Sequence, residues 1–340
     1  MSETVYLPIA PPAQPAAPLS HPELTEAQVK MQQEVQQYFE DPAYNVAGKP
    51  LMDVEKMWLS YECILRYLRA TKWKADASIQ RLEETLKWRR EYGVYDTLTA
   101  DLVEAEAVTG KEIILGFDVN GRPGLYLFPS RQNTNESTRQ VQFVVWMLER
   151  CIDSMPPGVE TLDLLINYAD KAQNLSFGTA RTVLSILQSH YPERLGLALI
   201  INIPFLLNAF FKYIGPFIDP VTQPKMRFNP QVIQEGIFAP EMVMSLWWGG
   251  ACKFEYEHDK YWPALISLCE ERTKLWTATW HKLGGKVGLK EFDYKTGKPD
   301  GVEAAEVLST GPTHSEPVDF RHRVWTSSRS SAADDPDIDD

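Results

Sequence analysis

The sequence predicts an α/β protein: an N-terminal helical bundle, then a mainly parallel β-sheet covered by helices. Three observations carry this. The hydrophobic period changes near Lys111, from helical stripes to strand-like runs. Over residues 113–203, strand and helix patterns alternate, which requires crossover connections and hence parallel pairing. Two of the strands, LDLLI at 162–166 and LALII at 197–201, are apolar almost without a break, as in a sheet covered on both faces.

The elements follow in order. Residues 1–24 are rich in Pro and Ala and are expected to form a disordered or extended arm. Thr25 stands three residues before Gln28, a capping-box spacing, and opens a helix through Phe39. Residues 41–50 are a loop, and helices resume near Asp53. Tyr61, Ile64, Leu65 and Leu68 recur at helical spacing between Arg66 and Arg69. A corner at 70–74 leads to a second stripe of Ala75, Ile79, Leu82 and Leu86. The basic residues of that helix, Arg81, Lys87, Arg89 and Arg90, read as a solvated surface. Residues 25–100 thus form the helical region.

The sheet region runs over 101–255. A strand at 113–117, a tight turn at Asn120-Gly121 and a partner at 124–128 make a β-hairpin. A helix at 137–154 presents Val141, Val144, Val145, Leu148 and Ile152. Strands at 161–168 and 197–203 flank a helix striped by Ala180, Val183, Leu184 and Leu187, and residues 226–228 add a short strand. A late helix carries Leu265, Leu268, Trp276 and Trp280 within a segment at 256–290. Residues 291–340 are expected to be largely irregular, ending in a disordered acidic tail.

With 340 residues, 44% hydrophobic and 11% aromatic, the chain can fill one large core or two small ones. A net charge of -12 argues against a nucleic-acid binder working by bulk charge. Cys63, Cys151, Cys252 and Cys269 form no CxxC pair and no zinc spacing. Cys63 and Cys151 sit in apolar helical patterns and read as buried thiols, and the lack of paired spacings favours a reducing, intracellular compartment. No apolar run reaches the roughly 18–20 residues that span a bilayer. The N-terminus lacks a basic stretch followed by an apolar one, so no secretion leader is expected.

Enzyme motifs are missing. HExxH, GxSxG and GxGxxG do not occur, and the six histidines show no metal-ligand spacing. Gly116 and Gly121 have phosphate-loop spacing, but Arg122 stands where lysine is needed, and they fall in a hairpin. His190 has no neighbour that reads as an activated nucleophile. The chain is therefore read as a non-enzyme, with no catalytic residue, metal or cofactor.

The most informative stretch is 190–228. A charged turn, Tyr191-Pro192-Glu193-Arg194, precedes the 197–203 strand. After Pro204 comes a segment apolar on nearly every face, FLLNAFFKYI, which must be buried or meet lipid. Asp219-Pro220-Val221-Thr222 and Lys225 close the stretch. Glu193 and Arg194 either fix the turn or help form a site. A lone ammonium and a hydroxyl can bind a phosphate, and a carboxylate can accept hydrogen bonds from sugar or inositol hydroxyls.

HYPERLG, an apolar strand, Pro204, an aromatic segment and PFIDPVT together resemble the CRAL-TRIO lipid-binding family, specifically its Sec-fourteen-type phosphatidylinositol transfer proteins. Residues 65–73, LRYLRATKW, look like that family's LRFLRARKF motif, and Lys87-Trp88-Arg89 fits its KWR. The resemblance covers about residues 55–255. It implies a cytoplasmic carrier with transient, peripheral membrane association, holding one lipid in a cavity floored by the sheet. By motif, Glu193 would meet the inositol ring; Thr222 and Lys225, with Asp219 and Lys72 nearby, would serve the headgroup. Thr71 takes an arginine position and removes one phosphate contact. Phe205, Leu206, Phe210, Phe211, Ile214 and Phe217 would form the gate.

Relatives that also carry phosphatidylcholine have small hydroxyl residues on the strand equivalent to 161–168. Here Leu162 and Leu164 stand there, with Ile166 beyond, as cavity lining. A choline headgroup would lose hydrogen-bond partners. The late helix resembles a branch linked to sterol and azole tolerance, which makes a sterol the expected alternate occupant. The alternative reading is a lipid-sensing scaffold that presents phosphatidylinositol to a partner enzyme, with a lipid kinase as that partner.

Overall fold

A computed structural model of the chain describes residues 4–12, 23–170, 177–203 and 223–297, all within one unit, Met1–Ala304. Helix α1 (Glu26–Glu40) starts as its capping box dictates: the Gln28 amide donates to Thr25 Oγ1 and the Thr25 amide to Gln28 Oε1. Helices α2 (Asp53–Trp58), α3 (Tyr61–Ala70) and α4 (Ala75–Tyr92) pack with it around Val35, Phe39, Leu59, Ile64, Leu68, Leu82 and Leu86. Ser60 caps α3 by accepting from the Cys63 amide, and Gly93, at φ +78°, ends α4 in the left-handed region.

Helix α5 (Ala100–Ala107) leads into the sheet. Strands β1 (Glu112–Phe117) and β2 (Pro123–Leu127) form the antiparallel hairpin. Helix α6 (Ser137–Ser154), β3 (Leu162–Asn167), α7 (Phe177–His190), β4 (Leu195–Ile201) and β5 (Met226–Phe228) follow. The sheet order is β1-β2-β3-β4-β5, with β2 to β5 parallel. The order never reverses, so right-handed crossovers place α6 and α7 on one face.

Pairing puts Leu125, Leu164, Ala198 and Met226 in one row, and Leu127, Ile166, Ile200 and Phe228 in the next. Partners in register share a face. Helix α8 (His258–Lys282) guards the sheet's outer edge: the Ile114 amide donates to the Tyr261 hydroxyl at 2.7 Å, and that hydroxyl donates to the Ile114 carbonyl at 2.8 Å. One phenol thus satisfies two groups that an edge strand would leave open. The four cysteines are buried and free.

Several expectations are corrected. β4 starts at Leu195, two residues early, because the Leu162 amide donates to the Arg194 carbonyl and begins the ladder there. The arm at 1–24 is not wholly detached: the Val5 amide donates to the Lys253 carbonyl, and the Glu255 amide to the Val5 carbonyl. The region 291–340 opens with a helix, α9 (Glu291–Thr296). Its Tyr294 packs with Trp276 and Trp280, apolar area that gains by leaving water.

The solvated-surface reading of the α4 basic residues holds for Lys87 and fails for Arg89 and Arg90, which are ion-paired to Glu149 and Glu55. Arg81 donates to the Gln188 and Ser189 carbonyls. Helical spacing reveals which face a residue occupies, not whether a distant segment folds onto it.

Candidate functional site

The turn at 191–194 is clamped by the helical region. Tyr191 donates from its hydroxyl to Glu149 Oε1 at 2.6 Å. Arg89 meets the same carboxylate with two bonds, 2.8 and 3.0 Å, and donates from Nε to the Tyr95 hydroxyl. Burial opposes the ionisation of Glu149, but Arg89 and these hydrogen bonds outweigh it and hold its pKa at about 2.

His190, the last residue of α7, stacks on Trp88 with ring centroids 4.2 Å apart. Its Nδ1 lies 3.1 Å from Thr85 Oγ1, and its carbonyl accepts from the Tyr67 hydroxyl. Burial, then Arg81 and Arg89, lower its pKa to about 4, so it stays neutral near pH 7. These contacts position the His190 ring and carbonyl against the helical region.

Arg194 is buried and donates to the Glu160 carbonyl at 2.8 Å. The Glu160 carboxylate is gripped by Arg66 at 2.8 Å and Arg69 at 3.2 Å. Arg66 also reaches Glu291 of α9, which in turn pairs with Lys295 and accepts from Ser60 Oγ. Glu62 accepts from the Glu291 amide at 2.7 Å. Burial, then the nearby Glu291 charge, push Glu62 up to about 7.

An acid whose folded pKa is raised binds its proton more tightly when folded. The folded state therefore loses stability as pH rises from the unfolded value through about 7. Glu62→Gln keeps an oxygen acceptor and removes this titration. Its stability relative to the parent should rise between pH 5 and pH 8, by up to about 3 kcal/mol, in urea melts at both pH values.

Glu193 is half-buried, between buried Pro192 and Arg194, and has φ +59°. That conformation costs a non-glycine residue about 1–3 kcal/mol. Lys225 donates from Nζ to the Leu195 carbonyl at 2.8 Å. Glu193 lies two residues before Leu195, so both Glu193 and the Lys225 ammonium stand at the N-terminal end of β4. Lys72 is exposed at the α3–α4 corner, with φ +54°. No hydrogen bond or ion pair joins it to Glu193 or Lys225 among the described residues. Asp219, Thr222, Phe205, Leu206, Phe210, Phe211, Ile214 and Phe217 lie outside the described residues.

The sheet face beyond this turn is apolar and incompletely covered. Along β3, Leu164 and Ile166 are half-buried, whereas Leu162, Asp163, Leu165 and Asn167 are buried. Leu162 belongs to the closed core of the protein. Phe228, in the row of Ile166, is 51% exposed. The apolar stripe of α7, from Ala180 to Leu187, is half-buried throughout. No helix among the described residues is long and apolar enough to cross a membrane. None of their His, Cys, Asp and Glu side chains cluster to hold a metal ion.

Glu149, Glu160 and Glu291 are the residues that sequence reasoning missed. Each is separated by dozens to hundreds of positions from its arginine. The only signal was the number of arginines within two short helices.

A helical region locked onto a parallel sheet by a charged turn defines a CRAL/TRIO-type protein. Residues 107–239 match the CRAL/TRIO domain and residues 31–84 the CRAL/TRIO N-terminal domain. The chain belongs to the CRAL-TRIO family. It is 41% identical over 270 residues to phosphatidylinositol transfer protein PDR17 of Saccharomyces cerevisiae, covering 75% of this chain and 76% of that one. It is 45% identical over 292 residues to the CRAL-TRIO domain-containing protein C23B6.04c of Schizosaccharomyces pombe, covering 84% of this chain but only 28% of that longer relative. The crystal structure of Sfh5 superposes with a TM-score of 0.51 at 15% identity, over 75% of this chain and all of that one, a likeness of fold.

Proposed function

We propose that this protein binds one phosphatidylinositol molecule and exchanges it between membranes, as a carrier and not a catalyst. The observation that supports the reading is that Glu193 and the Lys225 ammonium both stand at the N-terminal end of β4, on a sheet whose Leu164 and Ile166 are half-buried. The carboxylate suits the inositol hydroxyls and the ammonium suits the phosphate. Thr222, Asp219 and Lys72 join them as headgroup residues by their motif positions. Residues 205–217 are the gate, and the acyl chains lie along the apolar rows. Each buried CH₂ contributes about 0.8 kcal/mol.

The name of the PDR17 relative supports the choice of lipid. The protein works in the cytoplasm and visits membrane surfaces transiently. Its second cargo is less polar than phosphatidylcholine, of sterol character, because Leu164 and Ile166 offer no hydroxyl to a choline headgroup.

The test is Glu193→Ala with Lys225→Ala, assayed for phosphatidylinositol transfer between vesicles. Each lost contact to a charged group is expected to lower inositol-lipid affinity about tenfold to a hundredfold. Circular dichroism should be unchanged. Undiminished transfer would refute the assignment.

A further inference from the structure

The loop at 243–252 displays two large apolar side chains that the fold leaves in solvent. Leu246 is 61% exposed and Trp247 50%. Slack does not explain it. The loop is closed by Ser245 N–H to the Cys252 carbonyl at 2.7 Å, Gly250 N–H to the Met244 carbonyl at 3.1 Å, and Ala251 N–H to the Pro240 carbonyl at 2.6 Å. Trp248 is buried as its anchor, edge-on to Tyr126 at 5.9 Å. Trp247 itself is held at φ +70°, a conformation that disfavours any residue but glycine. A rigid loop thus buries one tryptophan and presents the next.

Beside this tip lies a groove of about 410 Å³, whose wall joins Val108, Phe128, Met244 and Phe254 to the charged Arg131 and Glu255. Val108 is itself half-exposed, so the apolar side of the groove runs on into the tip. Residues 243–252 carry no charge, in a chain whose net charge is -12.

We propose that this patch is a second membrane-contact surface, in which Leu246 and Trp247 enter the interfacial layer of a neutral, zwitterionic bilayer. Tryptophan partitions to that layer, where its ring meets apolar matter and its N–H meets water. Charge selects the bilayer type. The acidic chain is repelled by an anionic surface, the ten-residue tip carries no cation to offset that, and the neighbouring Arg131 and Lys253 are matched in number by Glu241 and Glu255. A zwitterionic surface imposes no such penalty.

The proposal rests on the transfer reading only in that a carrier must meet a bilayer, and the test separates the two. Because the native cysteines are buried, Ser245→Cys gives a single exposed thiol for an environment-sensitive fluorophore on the full chain. Phosphatidylcholine vesicles should shift its emission to the blue, while a label at Lys87→Cys on α4 should not respond. Leu246→Ser with Trp247→Ser should weaken vesicle binding about tenfold to a hundredfold. Phosphatidylinositol loading, read by mass spectrometry of co-purified lipid, should be unchanged in this variant. Loading that is absent from parent and variant alike would refute the transfer reading and leave the surface proposal standing. A silent Ser245→Cys label, or unchanged vesicle binding by the double variant, would overturn the proposal. So would a label that responds to a soluble protein fraction and not to vesicles, because the patch would then be a protein-docking site.

Discussion

Arg89→Ala is expected to destabilise the protein by about 3–5 kcal/mol, the cost of leaving a buried carboxylate without its cation. Arg89 is almost fully buried and carries two bonds to Glu149 and one to Tyr95. Its guanidinium also lies 5.2 Å from the centroid of the Trp58 ring. Removing it leaves Glu149 with the Tyr191 hydroxyl as its remaining strong partner. Urea denaturation at pH 7 measures the loss.

The pH dependence has a defined sign. Glu149 is held at about 2 in the folded protein, so its contribution is present above the unfolded value near 4.5 and is lost as pH falls toward 2. Without Arg89 that depression disappears. The variant and the parent should therefore converge in stability as pH falls to about 2. A constant gap across pH 2–7 would show that Arg89 acts by packing and not by charge. Tyr191 opens the turn that holds Glu193, so under the proposed function vesicle-to-vesicle phosphatidylinositol transfer should fall as well.

Gly116→Ala should be the most disruptive single-methyl change. Gly116 sits at φ +66°, and an added Cβ would lie 1.8 Å from the Met242 carbonyl oxygen and 2.8 Å from its carbon. Both atoms are backbone, so no rotamer can give way. Relief requires moving the segment whose Met244 amide donates to the Tyr126 hydroxyl and whose Trp248 packs on the Tyr126 ring. The left-handed backbone adds about 1 kcal/mol, and the lost packing brings the total to about 4 kcal/mol or more. A thermal melt close to that of the parent would show that the 240–252 segment shifts freely. The glycine whose spacing resembled a phosphate loop is required by close approach of two chain segments.

Legibility divides along the range of the interactions involved. Helix α1 was visible because Thr25 and Gln28 cap it within four residues. The hairpin followed from Asn120-Gly121, and the parallel sheet from unbroken apolar strands between helical stripes. Glu193 and Lys225 are proposed from the turn and loop motifs around them, and the structure adds that Lys225 touches the Leu195 carbonyl. Arg66 was visible only as a basic residue between apolar positions. Its partners Glu160 and Glu291 lie 94 and 225 residues away. Helix α9 was missed because six residues carry too little periodicity, and Tyr294 becomes core only against α8.

By itself the sequence determined most of the helices and the strands, that the sheet is mainly parallel, and that a charged turn stands before its fourth strand. These depend on backbone propensity and hydrophobic period, which act within a few residues. Only the tertiary structure decided which arginines are buried, which carboxylates they neutralise, which apolar face stays half-open, and that Trp248 is anchored while Trp247 is displayed. Desolvation sets those outcomes, and desolvation depends on everything packed around a group rather than on its neighbours in the chain.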